Sequence, residues 1–188
     1  MIVGILSDTH GQVRRTAAAV RLLRRLEATA LLHCGDIGSP AVLEELAALP
    51  AWAVCGNTDA LDGACAQYAA ALGVRLTPQG PARVVLGGRK LAVFHGHEND
   101  FHDLLAAARA GRPAPDGARY DYVLHGHTHV AGVRTVGPLR VINPGALHRA
   151  AVHTVATLDL ARDDVRFWRL PEGPDRDDAP PTPYHPGG

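Results

Sequence analysis

The sequence predicts an α/β domain, and three observations carry that prediction. Short apolar, β-branched runs alternate with amphipathic helical segments through the first part of the chain. Glycine-centred hairpin signals take over beyond residue 80. Polar clusters rich in Asp, Asn and His follow several strand-like runs, the pattern expected where a sheet opens into functional loops.

The elements follow in order. Ile2 to Leu6 reads as a buried parallel strand ending in Ser7-Asp8-Thr9-His10-Gly11. From about Val13 to Ala28, apolar positions at helical spacing are separated by arginines, an amphipathic helix. Ala30 to Cys34 is the next strand, ending in Gly35-Asp36, and Pro40 opens a second helix at a tolerated first-turn position. Ala51 to Cys55 is a third strand, ending in Gly56-Asn57-Thr58-Asp59, and an Ala-rich helix follows from about Ala64 to Leu72. Three strand–helix repeats imply right-handed crossovers and a parallel sheet. Ala82 to Leu86 and Lys90 to Phe94 flank Gly87-Gly88 as a hairpin whose second arm leads to His95-Gly96-His97. A helix from about Phe101 to Ala110 precedes a Pro/Gly loop. Tyr122 to Leu124 is a brief strand ending in His125-Gly126-His127-Thr128-His129. Val130 to Val136 pairs with Leu139 to Ile142, ahead of Asn143-Pro144-Gly145, and Val152 to Leu160 pairs with Val165 to Leu170. The Pro/Asp/Gly-rich residues 171–188 read as a loose tail. No linker or repeat divides residues 1–170.

Composition excludes several classes. The 188 residues suit one domain with a true core, at 46% hydrophobic and 20% charged. Lys+Arg and Asp+Glu are 19 each, so no general attraction to long nucleic acid or acidic membranes is expected. Cys34, Cys55 and Cys65 are odd in number and show no paired spacing, which favours a reducing, cytoplasmic compartment. No apolar run reaches the length of a membrane span, and the N-terminus lacks the features of a signal peptide.

Seven candidate metal ligands remain: Asp8, His10, Asp36, Asn57, His95, His127 and His129. Singly, each has an ordinary explanation. Asp8 and Asp36 suit helix caps or turns, and Asn57 suits a turn. Together they follow one strand after another, mostly beside glycine, and would converge on one rim. Three histidines in five residues at 125–129 have no packing rationale. Carboxylate, amide and imidazole donors in combination suit Mn²⁺, Fe or Zn²⁺ better than Ca²⁺ or Mg²⁺ alone. His33 reads as a brace at a core edge, His125 as structural, and His102, His148, His153 and His185 are given no role.

The ordered motifs DTH, GD, GNTD, HGH, GHTH and NPG resemble the calcineurin-like metallophosphoesterase superfamily, and within it the small single-domain bacterial and archaeal phosphodiesterases. The likeness spans residues 1 to about 170. It implies a four-layer αββα sandwich, two mixed β-sheets packed face to face with flanking helices. It implies that Asp8, His10, Asp36 and His129 bind one divalent metal, and that Asp36, Asn57, His95 and His127 bind a second, with Asp36 bridging. Such a pair, about 3.5–4 Å apart, deprotonates a shared water that attacks phosphorus in line. The implied cofactor is two divalent ions, Mn foremost, with Fe, Zn, Ni or Co as alternatives. Asn57 would also contact phosphate, and Asp59 would orient a histidine. The sequence departs from the pattern at Thr58, where the protein-phosphatase branch has a histidine, and at Ala146, where a serine is usual. His97 is the candidate replacement for the missing acid. The implied activity is hydrolysis of a small, nucleotide-like phosphodiester. The alternatives are a phosphomonoesterase and a non-catalytic scaffold that has kept its metal site, a class represented in the superfamily by a trafficking subunit with a decayed site. The expected partner is a small phosphoester, and a homodimer is compatible with a chain this small.

Overall fold

A computed structural model describes residues 1–60, 63–171 and 180–187. The chain runs β1 (Ile2–Leu6), α1 (Val13–Arg25), β2 (Ala28–His33), α2 (Pro40–Leu46), β3 (Ala51–Val54), α3 (Gly63–Ala71), β4 (Val74–Thr77), β5 (Ala82–Leu86), β6 (Arg89–Val93), α4 (Asn99–Arg109), β7 (Tyr122–Leu124), β8 (Gly132–Val136), β9 (Leu139–Asn143), β10 (Thr154–Asp159), β11 (Asp164–Arg169) and β12 (Thr182–Tyr184).

The strands form two mixed sheets. One has seven strands in the order β12-β11-β10-β1-β2-β3-β4, and the other five in the order β5-β6-β7-β9-β8. Strand alternation sorts the apolar side chains into layers. Val3, Ile5 and Leu32 face Val84, Leu91, Val93 and Leu124 across the space between the sheets. Leu6 and Leu31 point the other way, onto Leu22, Leu23, Leu43 and Leu46 of α1 and α2. On the far face of the second sheet, Phe94, Val123 and Val141 pack against Phe101, Leu104 and Leu105 of α4. The result is helix, sheet, sheet, helix, as the resemblance implied.

Register positions the site. The parallel strands align Leu6 with His33 and His33 with Ala53, so the loops after β1, β2 and β3 leave one edge together. In the second sheet Val93 aligns with Leu124 and Leu124 with Ile142, which gathers the loops after β6, β7 and β9. Ser39 caps α2 by accepting from the Ala41 N–H at 3.2 Å, with Pro40 just inside the helix. That fixes the exit of the Asp36 loop.

Two strands escaped the sequence reading. β4 is a four-residue edge strand with only one buried side chain, too short for a period to register. β12 lies in the Pro-rich tail, read as loose throughout. Thr182–Tyr184 instead pairs antiparallel with Phe167–Arg169 at the edge of the seven-stranded sheet. Pro183 is tolerated there because an edge strand needs ladder bonds on one side only. Residues 172–179 of that tail lie outside the described residues.

Candidate metal centre

All seven predicted ligands come together where the loop edges of the two sheets meet. Asp36 Oδ2 lies 3.3 Å from His10 Nε2 and 3.5 Å from His95 Nε2. Asp8 Oδ1 lies 3.2 Å from His129 Nε2. Asn57 Oδ1 lies 3.0 Å from His95 Nε2, and the His127 ring stands 5.0 Å from that of His95. Two groups of donor atoms each fall within 4.8 Å of one another: Asp8, His10 and His129, and Asp8, Asp36 and His95. Asp8 thus reaches toward both halves of the cluster, whereas the resemblance assigned it to one metal.

The backbone is strained at these positions. Asp8, His10, Asp36, His127 and His129 all have positive φ, between 42° and 65°. Residues other than glycine adopt this region at a cost of order 1 kcal/mol or more each, and such residues cluster at functional sites. The glycines between them are needed for a different reason. A Cβ on Gly35, whose φ is +94°, would stand 2.6 Å from the His95 ring, and one on Gly56 would collide with the Asp36 carboxylate.

Each ligand is aimed by a further bond. The Nδ1–H of His95 donates to the Cys34 carbonyl at 2.8 Å, which leaves the Nε2 lone pair directed at Asp36 and Asn57. His129 repeats the device, with Nδ1 3.4 Å from the Arg149 carbonyl and Nε2 toward Asp8. The Thr58 N–H donates to Asp36 Oδ1 at 3.0 Å, so the residue in the histidine's usual place steadies the central carboxylate. The His127 N–H donates across the two sheets to Asp8 Oδ2 at 3.2 Å. His33 is buried, and its Nδ1 accepts from the Gly35 N–H at 3.2 Å. Its Nε2 therefore carries the proton toward Thr9 Oγ1 at 3.0 Å, and Thr9 donates onward to the Asp36 and Ile37 carbonyls. Burial pushes the His33 pKa down to about 4, which keeps that brace neutral.

The electrostatics fit a cation. Burial raises the Asp8 pKa, against the pull of Ser7, His95 and His129. Burial also pushes Asp36 up, but the Thr58 bonds and the charges of His95 and His10 outweigh it and leave Asp36 below its usual value. Asp8 Oδ1 and His10 Nε2 are buried without a hydrogen-bond partner among the described residues. Unpaired buried polar atoms cost roughly 1–3 kcal/mol each, and a bound cation would satisfy both, His10 through its unprotonated Nε2. The donor set therefore fits divalent metal.

Several expectations need correction. Among the described residues Asp59 bonds to no histidine. Its carboxylate accepts from the backbone N–H of Ile37 (3.0 Å), Gly38 (2.8 Å) and Gly56 (2.8 Å), tying the Asp36 and Asn57 loops together. Ala146 is fully buried. His148, given no role, lies against the site with its ring 5.3 Å from His10. It sits in the loop after β9, and the strand-end rule applied to the other ligands would have found it. His97 stands on the opposite flank, 5.4 Å from His95 and 6.0 Å from His127. Glu98 was also missed. It accepts from the N–H groups of His95 (2.8 Å) and Gly96 (2.6 Å) and so holds the HGH turn. Asn143 of NPG donates to the Gly126 carbonyl (2.9 Å) and to Thr128 Oγ1 (3.0 Å), holding the GHTH loop. His125 is structural as expected, packed on Phe101 at 4.8 Å, with burial lowering its pKa to about 4.

This fold and this cluster define a class, and the chain belongs to the calcineurin-like phosphoesterase superfamily: the family's domain model matches residues 1–163. Among curated relatives, a phosphodiesterase of Methanocaldococcus jannaschii is 26% identical over 170 residues, covering 88% of this chain and 97% of that protein. A probable metallophosphoesterase of Bacillus subtilis is 28% identical, covering 89% and 90%. The solved structure of an archaeal phosphodiesterase superposes with a TM-score of 0.77 at 26% identity, over 90% of this chain and all of that one. The vacuolar protein sorting 29 structure from Cryptosporidium parvum shares the fold, with a TM-score of 0.60 at 18% identity over 92% and 93% of the two chains.

Proposed function

We propose that the chain is a two-metal phosphodiesterase acting on a small, nucleotide-like phosphodiester. One observation carries the reading: a single carboxylate oxygen, Asp36 Oδ2, stands nearly equidistant from His10 and His95, imidazoles on opposite sides of the cluster. A bridging ligand needs that position. Asp8, His10 and His129 would complete one cation site, and Asn57, His95 and His127 the other. A bridged cation pair supplies a lowered pKa for water and neutralises charge on the phosphoryl oxygens.

The chain's own groups do the rest. His95 and His129 are held in the tautomer that presents Nε2. Asn57 can turn its amide N–H toward a phosphoryl oxygen while its Oδ1 faces the cluster. His97 is the candidate to protonate the leaving group, with Glu98 Oε2 3.7 Å from its Nδ1. The donor mixture favours Mn²⁺, with Fe, Zn²⁺, Ni²⁺ or Co²⁺ as alternatives. Three free cysteines and zero formal net charge support a cytoplasmic enzyme that does not bind long nucleic acid. No described helix is long and apolar enough to cross a membrane.

The test is hydrolysis of bis(para-nitrophenyl) phosphate and of the matching monoester by chelated protein refilled with Mn²⁺. Activity should return with metal, favour the diester, and fall more than about a hundred-fold in a folded Asp36→Asn variant. Full activity in that variant refutes the bridge. A monoester preference selects the phosphatase alternative. Silence with every divalent metal selects the scaffold.

A further inference from the structure

We infer that the groove beside His127 is a subsite for a second phosphate, so that the preferred substrate is a phosphodiester bearing a further phosphate group. The inference rests on the phosphoesterase reading above and adds a substrate class to it.

A cavity of about 570 Å³ opens from His97 and His127 and runs between α4 and β8. Its lining includes two arginines, Arg109 from the last turn of α4 and Arg134 on β8, together with His102 and Leu105 of α4. Among the described residues no Asp or Glu lines it. A second cavity, at the far end of the same sheet, makes the contrast. There Asp121 and Asp163 share the lining with four arginines and answer two of them, Arg89 at 3.1 Å and Arg140 at 2.8 Å. Among the described residues neither Arg109 nor Arg134 makes an ion pair, and neither is among those with an undescribed partner. Arg109 also suits a helix C-terminus, where a cation offsets the dipole. Arg134 likewise suits an edge strand, where a charge discourages pairing with another chain, so the case rests on the two cations facing one groove.

The charges match the chemistry. A diester's scissile phosphate carries one negative charge, which cations held by Asp8, Asp36 and their neighbours would offset. A terminal phosphate carries nearly two at neutral pH and offers acceptor oxygens to which a guanidinium can bond through two N–H groups. The carboxylate next to His97, Glu98, is held by the His95 and Gly96 N–H groups, and none of the described lining residues is acidic.

The probes are the para-nitrophenyl ester of thymidine 5′-phosphate and its 3′-phosphorylated counterpart, which differ only in the added phosphate. The variant is Arg109→Gln/Arg134→Gln, at two exposed positions outside the metal cluster. Wild-type kcat/KM should favour the 3′-phosphorylated ester about ten-fold or more, through KM, and the variant should lose that preference while hydrolysing the plain ester unchanged. A binding readout stands independent of turnover: Mn²⁺-loaded wild type should bind thymidine 3′,5′-bisphosphate about ten-fold more tightly than thymidine 5′-phosphate by calorimetry, and the variant should not. Equal use and equal binding of each pair in wild type, or a preference that survives in the variant, overturns the subsite. Failure to hydrolyse the plain ester with any metal overturns the phosphoesterase reading instead, and the calorimetry then decides the subsite alone.

Discussion

The two sheets contribute to the metal centre in different ways. The seven-stranded sheet supplies the oxygen donors, Asp8, Asp36 and Asn57, with His10 as its one imidazole. The five-stranded sheet supplies imidazoles alone, His95, His127 and His129. Their bracing differs as well. In the first sheet the loops are tied to one another: Asp59 collects three N–H groups from two loops, and the His33–Thr9 relay joins the loops after β1 and β2. In the second, Asn143 at the end of β9 holds the GHTH loop after β7, while Glu98 braces only its own HGH turn. The bracing at Asp59 is shared between loops, and that at Glu98 is local to one turn. A carboxylate ligand must be held against burial and against its neighbours' charges, whereas an imidazole needs only its tautomer and its angle fixed.

The contrast can be broken at Asp59. Asp59→Ala should strand three backbone donors and loosen two loops at once. We expect a loss of about 3 kcal/mol in urea denaturation and a drop of about 10–100-fold in Mn²⁺ affinity by calorimetric titration. Wild-type values for both would show that the first sheet's loops hold themselves. Glu98→Gln should be milder, because the amide oxygen can still accept one of the two N–H bonds. A loss near 1 kcal/mol and less than about ten-fold in metal affinity is expected, and damage as large as in Asp59→Ala would erase the distinction between shared and local bracing. The smallest effect should come from the flanks. His97→Ala, beside the second sheet's ligands, should slow esters with poor leaving groups about ten-fold or more and leave good ones nearly untouched. If His148→Ala, on the His10 side, shows that selectivity instead, the acid belongs to the other flank. Equal loss on both ester types in both variants leaves positioning as the role of each.

The ligands were legible in the sequence because strand, turn and donor are local: a buried run, a glycine and an Asp or His within a few residues. The braces were not. Asp59 is read correctly only when Ile37 and Gly38, some 20 residues upstream, are seen to turn their N–H groups toward it. The face-to-face sheets were likewise beyond hydrophobic periodicity, which reports that Val3 and Val84 are buried but not that they share a core. That architecture came from the order of the motifs.

The positive φ angles at Asp8, His10, Asp36, His127 and His129 bear on how such a chain can drift over generations. At each position glycine would fit the backbone better than the residue present, so a replacement that removes a donor also relaxes the local conformation. Selection for foldability alone would therefore erode this constellation one residue at a time. Finding all seven donors in place, five of them at strained positions, indicates a chain still held to its chemistry.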